Sequence, residues 1–363
     1  MNRLRISFLK FLPLAMLLMS TLSAHAQESV MQLPDIFVPS DNYPPINYSI
    51  HVSHKAGSQP TKVPVLLVHG SWGNAQTWDF PGRSVMDYLA VRGYDVYALD
   101  LRGMGGTTPL PPVPNPLPAS DYLLVDIPGR VTDVAAVAGY IKMHTGRVPV
   151  VIGWSQGGLI AGLLAASDTQ HQLVAGLGLL SVATGGFVIP ADLLPPASVE
   201  ALRILFSAFP VALPPTQADI NEIIFGTDPM TGKPTISSDA LATFSTPPFL
   251  QPESSIAVVQ ETELCPAIRA GVLGFIPPGL TVCPVQAVPW GNITVPALVV
   301  DGLLDRLTGA DASQTLLNAQ TLFTELGSTN KQLITFARNS HGWFLEDNHD
   351  ATDRVFDQFL SQF

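Results

Sequence analysis

The chain has 363 residues, 47% of them hydrophobic and 13% charged, with a formal net charge of −11 at pH 7. A chain of this length can bury one large core carrying an insertion. Its acidic balance argues against nucleic acid or an anionic membrane surface as a partner.

Residues 1–26 read as a secretory signal peptide. Arg3, Arg5 and Lys10 make a basic start, residues 11–19 form an apolar run, and Ala24-His25-Ala26 supplies a small-x-small cleavage pattern. The run is too short to span a bilayer, and the segment holds no cysteine for lipidation. Cleavage leaves 15 basic against 29 acidic residues, a net charge of −14. The expectation is an exported protein, periplasmic or extracellular, without a stable membrane anchor.

Beyond the leader, strand-like and helix-like segments alternate. Residues 46–52 alternate apolar and polar positions and suit an edge or antiparallel strand, whereas residues 63–69 form a buried one. A helix-like segment follows at 81–92, a strand at 94–100, a proline-rich loop, and a helix at 131–143. Residues 148–152, VPVVI, have the β-branched density of a strand covered on both faces. An apolar helix comes directly after, then a strand at 173–180. This spacing predicts an α/β fold with a mostly parallel sheet and helices on both faces.

The pattern breaks near Thr184. Residues 185–290 hold 16 of the 33 prolines, which restricts helices there to short ones such as 198–209. It resumes with a strand at 296–301, a helix at 312–326, a strand at 332–337 and a terminal helix at 352–360. The chain therefore divides into a core part at 27–184, an inserted cap or lid at 185–290, and a second core part at 291–363. A cap so placed covers the strand ends, where ligands of open α/β sheets bind. Both cysteines, Cys265 and Cys283, fall in the cap, and in an oxidising compartment such a pair reads as a disulfide.

The chemistry centres on VIGWSQGGLI, residues 151–160. A serine at a strand-to-helix junction, flanked two positions either side by Gly153 and Gly157, has the form of a nucleophile elbow. A serine hydroxyl needs a base, and the base an orienting acid, in the chain order Ser, acid, His. Of the histidines, only His341 and His349 follow the last strand; His341 is the expected base, and His349 reads as a solvated surface residue. Asp305, past the Gly302 turn, is the expected acid, with Asp301 at the strand end as the alternative. The oxyanion calls for backbone N–H donors. Gln156, after the nucleophile, supplies one; Ser71, in His69-Gly70-Ser71-Trp72-Gly73, supplies the other, with Trp72 second. His69 reads as a support of that loop. Trp72, Trp154 and Trp343 lie beside these positions and suggest an apolar or aromatic pocket, although core packing accounts for them equally well.

These residues resemble the capped serine hydrolases of esterase and lipase type in the α/β-hydrolase superfamily. The resemblance covers residues 46–185 and 291–363 and rests on HGSWG, ALDLRGMGG, GWSQGG, DGLLDR and NSHGWFLED in the family's order. HGSWG is neither the HGGG of one esterase branch nor the HGGPG of proline iminopeptidases, and haloalkane dehalogenases and epoxide hydrolases have aspartate where Ser155 stands. Gly103-Met104-Gly105-Gly106 fails as a dinucleotide fingerprint because position 108 is Thr. No HExxH occurs, and His51-x-x-His54 lacks further ligands. The expected activity is hydrolysis of a small-molecule carboxylic ester through an acyl-enzyme, without cofactor or metal. A lactonase, an amidase, a C–C bond hydrolase with the same triad, and a non-catalytic binding protein remain the alternatives. Oligomeric state is left open.

Overall fold

The computed structural model describes residues 30–43, 46–58, 60–108, 126–182, 211–212, 216–254, 288–309 and 311–363. The leader, the helix expected at 198–209, and both Cys265 and Cys283 lie outside these residues, as does most of the proline-rich loop before the 131–143 segment.

The first part of the core runs β1 (Met31–Gln32), β2 (Ile36–Tyr43), β3 (Ile46–Ala56), β4 (Pro64–Val68), α1 (Val85–Ala90), β5 (Asp95–Leu99), α2 (Ile127–Thr145), β6 (Val150–Trp154), α3 (Gln156–Ser167) and β7 (Gly176–Leu180). Within the insertion lie β8 (Val211–Ala212), α4 (Gln217–Ile220), β9 (Thr227–Asp228), β10 (Lys233–Pro234), α5 (Ser238–Phe244) and β11 (Glu253–Ser254). The second part of the core adds β12 (Ala297–Gly302), α6 (Ala312–Glu325), β13 (Lys331–Phe336), α7 (His349–Thr352) and α8 (Arg354–Leu360).

Among the described residues nine strands form one sheet in the order β1-β3-β5-β4-β6-β7-β12-β13, with β2 also on β3. From β5 to β13 every neighbour is parallel, while β3 runs antiparallel to β1, β2 and β5. β3 is thus antiparallel but interior, not an edge. Every residue of β4 and β6 is buried, because helices cover both faces of this part of the sheet. Alternation divides their side chains between two apolar layers. Leu66, Val68 and Val151 meet Val134, Val137 and Ile141 of α2 and Leu159 and Ile160 of α3. Val65, Leu67, Val150 and Ile152 meet Val85, Met86 and Leu89 of α1 and Phe356 and Phe359 of α8.

Helix boundaries shift for local reasons. α2 starts at Ile127 rather than 131, because the Asp126 side chain caps the Gly129 N–H and Pro128 occupies the first turn, where its missing N–H costs nothing. α1 is shorter than the expected 81–92, beginning only after Ser84 caps the Asp87 N–H. The expected terminal helix is two pieces that meet at Asp353.

In the described part of the insertion, the α-helices are 4 and 7 residues long and a π-turn at Asn221–Phe225 adds 5 residues, consistent with the proline density. β8 and β11 pair antiparallel, with Glu253 opposite Ala212. Ile220, Phe225, Phe244 and Phe249 pack into the same apolar layer as Trp154 and Phe344. Among the described residues no helix is long and apolar enough to cross a membrane.

Candidate active site

Ser155 stands between β6 and α3 with φ 56° and ψ −127°. A positive φ is costly for a residue with a side chain, on the order of 1–3 kcal/mol, and persists only where surroundings enforce it. Here β7 and α3 enforce it. The Ser155 N–H donates to Leu180 O at 2.9 Å, and Ser155 O accepts from Gly158 N at 2.9 Å. A Cβ on Gly153 would collide with the Gly157 backbone, and one on Gly157 with the carbonyls of Val68 and His69, so both flanks of the turn require glycine.

His341 is brought to this turn by the ends of two strands. Trp154 Nε1 donates to His341 O at 2.8 Å, and Ser181 Oγ donates to the same carbonyl at 2.9 Å. The Trp154 and His341 rings lie 5.4 Å apart. On its other side the loop is tied to Glu346, which is 1% exposed. Its carboxylate accepts Ser340 N–H at 2.9 Å, Asn339 Nδ2 at 2.6 Å and the Ser340 hydroxyl. Burial pushes the Glu346 carboxyl up to about 7 despite these donors.

The turn after β12 delivers the acid. Leu303 N–H donates to Phe336 O and Leu304 N–H to Asn339 O, each at 2.9 Å, so the turn and the histidine loop share a backbone seam. Asp305 Oδ2 then lies 2.7 Å from His341 Nδ1, with both side chains at most 1% exposed. Asp305 Oδ1 faces the other way and accepts N–H bonds from Leu307 at 2.8 Å and Thr308 at 3.3 Å. Asp301, the alternative acid, is also buried and is bonded to Thr308 Oγ1 at 3.4 Å and to Asp305. Burial, reinforced by the Asp305 charge, holds Asp301 well above the usual carboxylate range.

The loop after β4 completes the surroundings of Ser155. A Cβ on Gly70 would lie 2.9 Å from the Ser155 Cβ, so the loop approaches at a distance only glycine permits. His69 is fully buried, which lowers its pKa. Its Nδ1 donates to Gly70 O at 2.7 Å and its Nε2 accepts Leu101 N–H at 3.1 Å, so this neutral ring braces the loop. Gln156 opens α3, where backbone N–H groups have no helical partners, and its side-chain Nε2 reaches Ser71 Oγ at 3.4 Å. The Trp72 N–H does not point at the serine; it donates to Glu253 Oε2 at 2.6 Å. That corrects Trp72 as second oxyanion donor.

The tryptophan reading also needs correction. Trp343 is 0% exposed and packs on Phe336, Phe344 and Phe356, so it has no face for a substrate. Trp154 is 3% exposed and spends its N–H on the His341 carbonyl. Only Trp72, half-buried, keeps accessible surface. His349 is also half-buried, with Nε2 on Gly82 O at 3.0 Å. His51 and His54 pair with Asp100 and Asp95, and no cluster able to hold a metal occurs among the described residues.

The sequence reading missed Arg130 and Glu253. Both are 0% exposed, and they form a buried ion pair in which Arg130 Nη1 also donates to Gln156 Oε1. One signal was available. Arg130 falls on the stripe Ile127, Val134, Val137, Ala138, Ile141, and a charge on an apolar stripe requires a buried partner.

A mostly parallel sheet covered on both faces, with a serine held at the carboxyl end of a central strand and a buried His–Asp pair beside it, defines an α/β protein with the architecture of a hydrolase. Over residues 65–356 the chain matches the alpha/beta hydrolase family, and it belongs to that family. No curated protein is similar enough in sequence to count as a relative. Among solved structures, a soluble variant of monoglyceride lipase from Saccharomyces cerevisiae, in complex with a substrate analog, is similar with a TM-score of 0.63 and 14% identity. That match covers 93% of this chain and 97% of the lipase. A bromoperoxidase from Bacillus anthracis is similar with a TM-score of 0.56 and 13% identity, over 90% of this chain and all of the other. At such identities the likeness concerns the fold.

Proposed function

We propose that this protein is an exported serine hydrolase that cleaves carboxylic esters through an acyl-enzyme. Ser155 Oγ attacks the ester carbonyl and forms a C–O bond while His341 takes its proton. Asp305, bonded to Nδ1, holds the ring in the tautomer whose Nε2 accepts that proton, and stabilises the imidazolium. The backbone N–H groups of Ser71 and Gln156 bind the oxyanion. His341 returns the proton to the departing alkoxide, and water, deprotonated by the same ring, releases the acid. The half-buried face of Trp72 favours an apolar or aromatic substituent.

The observation that carries this reading is the 2.7 Å contact between Asp305 and His341, buried beside a serine kept at φ 56°. A strained backbone at the serine, together with a buried His–Asp pair close by, is the arrangement expected of an activated hydroxyl.

The test is a panel of p-nitrophenyl esters of graded chain length, with a fluorophosphonate as serine trap. The wild-type protein should hydrolyse the esters and be labelled once, at Ser155. Ser155→Ala should fold normally and lose turnover on the order of 10⁴-fold or more. A variant retaining a tenth of wild-type turnover would remove Ser155 from the mechanism.

A further inference from the structure

We infer that Glu253, from the inserted segment, and Arg130, from α2, are positioning residues for the oxyanion-binding groups, so that the insertion completes the site as well as covering it. The inference rests on the acyl-transfer reading above. Its basis is a ring of hydrogen bonds. Trp72 N–H donates to Glu253 Oε2 at 2.6 Å, Glu253 Oε1 pairs with Arg130 Nη1, Arg130 Nη1 also reaches Gln156 Oε1, and Gln156 Nε2 returns to Ser71 Oγ at 3.4 Å. Both residues assigned to the oxyanion, Ser71 and Gln156, are members of this ring.

Three features separate the ring from an ordinary buried ion pair. Among the described residues Arg130 Nε and Nη2 have no partners, and the buried guanidinium is held there through Nη1, to the two acceptors that bear on the site. Trp72 has φ 55°, a strained conformation for its side chain, and the Glu253 carboxylate holds the Ser71–Trp72 peptide by its N–H. Loss of that acceptor removes one restraint on the Ser71–Trp72 peptide, which adjoins the Ser71 N–H through the Ser71 Cα. The insertion also grips the loop elsewhere. Gln251 N–H donates to Trp72 O at 2.9 Å, and Asn74 Nδ2 donates to Pro248 O. Glu253 itself is fixed by the pairing of β11 with β8. Electrostatic stabilisation of an oxyanion depends on donors held in place before charge develops, and one donor is worth roughly 10²–10³ in kcat. Loosening a donor without deleting it forfeits part of that factor.

The experiment compares Glu253→Gln, Glu253→Asp and the double variant Arg130→Gln/Glu253→Gln with wild type. A glutamine at 253 has one acceptor oxygen and cannot serve both Trp72 and Arg130. Aspartate keeps the charge opposite Arg130 but is one methylene too short to reach both, so it protects folding while breaking the ring. The double variant removes both charges together and leaves neither buried alone. The readouts are kcat and KM for p-nitrophenyl butyrate, the melting temperature, and the inhibition constant of an alkyl trifluoromethyl ketone. That ketone adds Ser155 Oγ to its carbonyl carbon, passes the serine proton to His341, and leaves an oxyanion in the hole.

We expect kcat to fall about tenfold in Glu253→Asp and about 30- to 100-fold in the other two, with KM within threefold. The ketone should weaken by the same factor by which kcat/KM falls. Folded variants whose kcat and ketone affinity stay within threefold of wild type, or in which only KM or the melting temperature moves, would overturn the inference. If Ser155→Ala is inactive while these variants are unaffected, only the positioning role fails. If Ser155→Ala stays active, the acyl-enzyme reading fails first.

Discussion

Replacing Asp305 by asparagine changes the shape of the site little and reverses one hydrogen bond. Asp305 Oδ1 accepts N–H bonds from Leu307 and Thr308, so an asparagine must place its carbonyl oxygen there to avoid facing two donors with a third. Its NH₂ then occupies the Oδ2 position, 2.7 Å from His341 Nδ1. Nδ1 becomes an acceptor and the ring proton moves to Nε2, the atom that must take the serine proton. The wrong tautomer of a triad histidine costs on the order of 10⁴ in kcat, or about 5 kcal/mol of barrier. Asp301→Asn is the matched control. Burial favours the protonated form of Asp301, which is bonded to Asp305, and an asparagine amide can supply the same donor, so turnover should stay within about fivefold. Initial rates on p-nitrophenyl butyrate at pH 7.5, with active sites counted by fluorophosphonate, give both numbers. An Asp305→Asn enzyme above a tenth of wild-type activity, or one more active than Asp301→Asn, would refute the reasoning.

Asp353 titrates the fold. Burial, reinforced by the Asp350 charge, pushes it up to about 8, and its Oδ1 has no partner among the described residues. A raised folded pKa means that the stability from the protonated form is complete below about pH 4 and is lost as pH rises through 8. Asp353→Asn, which cannot ionise, should therefore gain stability relative to wild type between pH 5 and pH 9, by a few kcal/mol in chemical denaturation; a constant difference across that range would count against it. Trp343→Ala should cost about 3–5 kcal/mol of stability, as truncation of a fully buried tryptophan does, whereas Trp72→Ala should chiefly raise KM. Under the proposal of export, thiol titration of the unreduced chain under denaturing conditions should find no free thiol, and Edman sequencing should begin at Gln27. Two thiols per chain would eliminate the Cys265–Cys283 bridge, and an intact Met1 would eliminate the leader.

What the sequence determined by itself was local. The order of strands and helices is written in periodicity, because a strand covered on both faces must be apolar throughout and an amphipathic helix must repeat near 3.6. The turn at Ser155 is written in Gly153 and Gly157, because only glycine fits where two backbones touch. The tertiary structure decided what depends on contacts across long stretches of chain. The sequence favours Asp305 over Asp301 because it lies past the Gly302 turn, but the contact itself comes from the seam between the β12 turn and the histidine loop, which sets Asp305 Oδ2, not Asp301, against His341. Trp343 lies two positions from His341 and still faces away from the serine, because the Phe336, Phe344 and Phe356 rings take it up. Arg130 and Glu253 are 123 residues apart, and neither has a neighbour in sequence that announces the other. A buried charge demands a partner, but the chain alone does not say which; only folding brings the insertion back onto the loop after β4 and names it.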